Sequence, residues 1–102
     1  MSRTPDDCAS LEHVRQEIDR LDAQIVALLA ERGGYVLAAA RYKRSAAEVH
    51  APQRVEQVIA RVRGLAQAQG GLPEVVERVY REMIAAFTDE ERAHWLRRAP
   101  QP

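Results

Sequence analysis

Leu11, Val14, Ile18, Leu21, Ile25 and Leu28 recur at alternating steps of three and four residues. That is the a/d spacing of a helix with one apolar seam. The same register continues through Arg32, Tyr35, Ala39 and Tyr42, and no proline interrupts Leu11 to Lys43. Gly33-Gly34 is the one weak point, costing about 2 kcal/mol relative to two alanines. It reads as a tolerated weak spot or a close-packing site. A helix over this span would be roughly 50 Å long, whereas a compact domain of this size has a radius of gyration of about 13 Å. One small chain cannot cover such a rod with its remaining residues. The expectation is an intertwined helical homodimer, with a second copy lying along the first helix.

The rest of the chain also reads as helical. Residues 1–9 are a polar lead-in. Ser10, with His13 nearby, is a weak start signal, and Asp6 and Asp7 are alternative caps. Residues 45–52 (SAAEVHAP) form a connection, and Pro52 favours a helix start around it. A second helix is expected over about Gln53–Gln69, with Val55, Val58, Ile59, Val62 and Leu65 facing inward and Gly70-Gly71 ending it. Pro73 opens a third, whose stripe is Val76, Val79, Tyr80, Met83, Phe87, Glu91 and Trp95. Residues 97–102 are expected to fray. The predicted fold class is all-α, with three helices in one domain over 1–102 and a very long first helix.

Fifteen Lys+Arg balance fifteen Asp+Glu. A neutral chain lacks the basic surplus of a general nucleic-acid binder. The single cysteine, Cys8, has no partner for an internal disulfide, and no Cys/His cluster suggests zinc. The opening MSRTPDDC has no apolar core like that of a signal peptide, and no apolar run approaches membrane length. The expectation is a cytoplasmic protein with no membrane or nucleic-acid partner. Cys8 reads as a structural residue or a surface thiol, and His13, His50 and His94 read as ordinary surface or connector residues. Tyr35, Tyr80, Phe87 and Trp95 read as packing.

Two charges break the pattern. Arg32 occupies a seam position of the first helix. Glu91 sits on the apolar stripe of the third, one turn after Phe87 and one turn before Trp95. A buried unpaired charge is costly, so each needs a partner or a ligand. Lys43 follows Arg32 by eleven residues. On a continuous helix that is three turns, about 20° of drift and roughly 16 Å of rise, so both side chains would face one small anion. The patterns alone leave two readings: a coiled-coil specificity device, or a helical dimer with an anion site.

The segment Val14–Arg32 (VRQEIDRLDAQIVALLAER) resembles the first-helix signature of the all-α chorismate mutase family. The spacing of Arg15, Arg32 and Lys43 is similar to that family's cationic triplet. The opening TPDDC, the Tyr35–Lys43 run, the APQRV run at Ala51–Val55 and the late Trp95 resemble the family's isochorismate-pyruvate lyase branch. The resemblance covers nearly the whole chain. It implies a homodimer with shared active sites and a small dianionic enolpyruvyl-ether substrate. Arg32 would bind one substrate carboxylate as a bidentate fork, and Arg15 from the second copy would clamp the other. Lys43 would donate to a carboxylate and to the ether oxygen of the breaking C–O bond. Arg54 would help shape the site. The implied reaction is a concerted pericyclic step that needs no nucleophile, metal or cofactor. It depends on holding the side chain over the ring and stabilising charge on the ether oxygen.

Two departures from the family's pattern stand out. Glu91 falls where most members carry a glutamine that donates to the ether oxygen. An ionised carboxylate would repel that oxygen and a protonated one would donate to it, so activity is expected to rise toward acidic pH. Val55 stands where many chorismate mutases place a glutamate for the substrate's 4-hydroxyl. An apolar residue there suits isochorismate, whose hydroxyl lies elsewhere on the ring. The lyase reaction, giving salicylate and pyruvate, is slightly favoured, with some conversion of chorismate to prephenate. The alternatives are a dedicated chorismate mutase and a non-catalytic helical dimerisation or regulatory module.

Overall fold

The computed structural model describes residues 4–98. They form four α-helices: α1 (Leu11–Ala39), α2 (Ala46–Val49), α3 (Pro52–Ala68) and α4 (Pro73–Arg98). Short 3-10 turns occupy Pro5–Asp7 and Ala40–Tyr42. The three long helices match the expected ones, and α1 is the longest at 29 residues. No helix among the described residues is long and apolar enough to cross a membrane. The chain divides into two compact units, residues 1–34 and 35–102.

In the first unit, Ser10 rather than Asp6 or Asp7 starts α1. Its Oγ accepts from the His13 backbone N–H at 3.1 Å, and His13 Nδ1 in turn accepts from the Ala9 N–H at 3.3 Å. The arrangement is a variant of the capping box, with histidine in the usual place of Glu or Gln and the returning bond made to the residue before the cap. The polar lead-in is not wholly irregular, since Asp6 and Asp7 lie in the first 3-10 turn. The α1 seam is solvent-facing: Leu11, Val14, Ile18, Leu21, Ile25 and Leu28 are each 38–63% exposed.

The second unit holds the buried core, made of Ala40, Val49, Val58, Ile59, Val62 and Ala66. Most of its packing joins α3 to α4. The stop of α3 is written in the sequence. Gly70 takes φ +72°, its N–H donates to Gln67 O at 3.1 Å, and the Gly71 N–H donates to Ala66 O at 2.8 Å. That is a Schellman ending. Pro73 then opens α4 at a position where its missing N–H costs nothing. Leu65, expected inside, is 52% exposed, and Ala66 takes its place in the core. A chain of ion pairs laces α3 to α4. Arg81 forks onto Glu56 at 2.9 Å twice and reaches Glu77 at 2.7 Å, while Arg63 meets Glu77 at 2.7 Å and Glu74 at 3.2 Å.

Three expectations are corrected. The first helix does not run to Lys43. It ends at Ala39, tightens into the 3-10 turn Ala40–Tyr42, and leaves Lys43 extended at φ −93°, ψ 138°. The connection over 45–52 contains α2, a four-residue helix. Arg97 and Arg98 are the last turn of α4 rather than frayed, their charge favourable beside the helix's carbonyl end. The rest of the expected tail, 99–102, lies outside the described residues.

Candidate active site

Lys43 is the chain's only lysine, beside fourteen arginines. It stands at the exit of the second 3-10 turn, where its N–H donates to Ala40 O at 3.1 Å. Its Nζ donates to Glu91 Oε2 at 3.2 Å and to the Glu48 backbone carbonyl at 3.3 Å. Its own carbonyl accepts from the indole N–H of Trp95 at 2.9 Å. Four contacts thus hold one residue that no regular helix holds.

Local sequence explains how the chain presents it. Ser45 caps α2, accepting from the Glu48 N–H, and the Glu48 carboxylate accepts from the Arg44 N–H at 2.6 Å. This Ser-x-x-Glu exchange closes a tight loop directly after Lys43 and turns the Glu48 carbonyl toward the ammonium. Glu91 and Trp95 are four residues apart on α4 and therefore share a face. That face takes the side chain of Lys43 with one residue and its backbone with the other.

Glu91 is 5% exposed, and it is the buried charged residue among those described. Its burial is viable because the Lys43 ammonium faces it; a carboxylate desolvated without a partner would destabilise the fold. Arg81, Arg63 and their glutamates form a separate surface network. A lysine ammonium has three N–H donors, and Glu91 and Glu48 take two of them.

Of the expected site residues, the structure brings Lys43 and Glu91 together. Arg54 and Val55 occupy the first turn of α3, Arg54 exposed and Val55 half-buried. Arg15 and Arg32 lie on α1 in the first unit, Arg15 exposed and Arg32 half-buried. The three-turn alignment of Arg32 with Lys43 does not hold, because the helix that would carry it ends at Ala39. Two features escaped the sequence reading. The Ser45–Glu48 capping box carried a visible Ser-x-x-Glu signal. The Trp95–Lys43 bond carried only a hint, a lone indole N–H one turn from a buried charge.

The sequence profile of the family described as chorismate mutase type II matches residues 14–92. The matched stretch contains Arg15, Arg32, Lys43, Arg54 and Glu91. The chain is also similar to the isochorismate pyruvate lyase of Pseudomonas aeruginosa, 36% identical over 93 residues, which cover 91% of this chain and 92% of that protein. Matches over this much of the chain lead to one conclusion: it belongs to the chorismate mutase type II family of enzymes.

Proposed function

We propose that the protein is an isochorismate-pyruvate lyase with a secondary chorismate mutase activity, acting in the cytoplasm as a homodimer with shared active sites. One observation carries the reading: the chain's sole lysine turns its ammonium to a buried carboxylate on α4. The third Lys43 N–H is directed to the substrate's ether oxygen. Negative charge gathers there as the C–O bond breaks, and a donor already in position costs no reorganisation at that moment. A ring hydrogen passes to the enolpyruvyl methylene, leaving salicylate and pyruvate. Arg32 forks onto one carboxylate, and Arg15 of the second copy onto the other. Arg54 shapes the rim, and Val55 offers an apolar wall where a chorismate 4-hydroxyl would need a partner.

The exposed α1 seam supports the dimer. Six aliphatic residues in one stripe are more apolar surface than a helix leaves to water without reason. The whole chain then acts as one domain completed by its copy.

Glu91 takes the place of a donating amide. Its carboxylate holds the Lys43 ammonium. Glu91→Gln keeps an acceptor for Lys43 and adds an N–H donor for the ether oxygen, so turnover is expected to rise in that variant. Turnover lowered by Glu91→Gln overturns this role. The reaction itself is tested with purified protein and isochorismate or, separately, chorismate. Isochorismate should give salicylate and pyruvate in equal amounts, and chorismate should give prephenate more slowly. Prephenate alone would instead mark a dedicated mutase. Turnover of neither substrate by folded dimer would falsify the enzymatic reading.

A further inference from the structure

We infer that Trp95 is a positioning residue that aims Lys43 by holding its main chain. Lys43 lies past the last helical turn, so no helical N–H is in place for its carbonyl. The indole N–H of Trp95 fills that role at 2.9 Å. One turn earlier on the same helix, Glu91 receives the ammonium at 3.2 Å. The two anchors fix both ends of the lysine against a single rigid face. Side-chain direction follows from the backbone that bears it. Losing the indole N–H leaves the peptide between Lys43 and Arg44 held on one side only, by the Arg44 N–H donating to Glu48 at 2.6 Å, and so loosens the aim of the ammonium. Fixing a donor in place before reaction is the main source of rate in a step without covalent chemistry. The catalytic consequence rests on the role assigned to Lys43 above; the positional claim does not.

Composition makes the test specific. Trp95 is the only tryptophan and Lys43 the only lysine. Trp95→Phe keeps an aromatic ring and removes the donor. Biosynthetic replacement of tryptophan by benzothienylalanine, which puts sulfur in place of the N–H, alters this one position with almost no change of shape. Two readouts are taken on each variant. Acetylation of Lys43 by a water-soluble acylating reagent is followed by peptide mapping, with the rate at the Cys8 thiol as a reference for general loosening. Steady-state kinetics on isochorismate separate kcat from KM.

The expected result is Lys43 acetylation faster by several-fold at an unchanged Cys8 rate. Loss of one hydrogen bond's worth of alignment should lower kcat about tenfold, with KM changed by less than about twofold. A merely structural tryptophan would move both labelling rates together or neither. Lys43 acetylation within twofold of the wild type in the benzothienyl protein overturns the positional claim. Faster acetylation with unchanged kcat overturns its catalytic consequence. If the wild type turns over neither substrate, the functional reading fails, and the labelling arm still decides whether Trp95 holds Lys43.

Discussion

At the scale of the residue, Lys43 and Glu91 depend on each other unequally. Glu91 is the more buried partner, its side chain 7% exposed against 25% for Lys43. Lys43→Met therefore leaves a desolvated carboxylate without its cation, and urea unfolding should show a loss of about 3 kcal/mol. Glu91→Gln leaves an amide oxygen to accept from Lys43, so its cost should be nearer 1 kcal/mol. A Lys43→Met loss no larger than that of Glu91→Gln would mean that the pair does not hold the site together. Glu91 was legible as an anomaly, because a charge between Phe87 and Trp95 breaks an apolar stripe. Its partner was not legible in the periodicity, because Lys43 lies 48 residues away in the chain; only the family resemblance put both at the substrate's ether oxygen. Trp95 was assigned to packing, since no local pattern says which carbonyl an indole will find.

At the scale of the element, the α3–α4 hairpin combines a local stop with a distant clasp. Gly70 sits at φ +72°, and nothing lies near where a Cβ would project. Gly70→Ala should therefore cost the left-handed backbone penalty alone, about 1 kcal/mol, read as a lower melting temperature. The ion pairs predict a response to acid. The Arg81 guanidinium holds the Glu56 carboxyl below its ordinary value of 4.5, and Arg81 followed by Arg63 does the same for Glu77. Glu74 is lowered first by its own backbone N–H and then by Arg63. Folded values below the ordinary one mean a contribution fully present above pH 4.5 and lost as pH falls through the folded values. Melting temperature should therefore drop on acidification below that point, and Arg81→Gln should shrink the drop. Because the pairs are exposed, 1 M salt should weaken the effect as well. An acid response identical in wild type and Arg81→Gln would assign the loss to other groups.

At the scale of the whole molecule, the α1 seam carries the prediction. Ile18 and Ile25 are 50% and 51% exposed in the single chain. In the proposed dimer they are covered, so Ile18→Glu with Ile25→Glu should give a monomer by sedimentation at micromolar concentration. Turnover should fall with it, because Arg15 then has no second copy to serve. A double variant that remains dimeric would place the interface elsewhere.

The amino-acid order alone determined the helices and most of their ends. A three-four stripe, Pro52, Gly70-Gly71 and Pro73 act within one or two turns of where they stand, so short-range sequence is enough to read them. It also determined that Glu91 must be paired, since an apolar stripe around a charge already states the cost. Only the tertiary structure decided where α1 stops. Residues 40–43, Ala-Arg-Tyr-Lys, contain nothing that breaks a helix, and the register runs through them undisturbed. The chain leaves the helix there and meets contacts from much later in the sequence, the Glu91 carboxylate and the Trp95 indole. Those contacts exist only once α4 has packed beside the turn. For that reason the continuous helix expected from periodicity gave way to an extended Lys43 gripped at both ends.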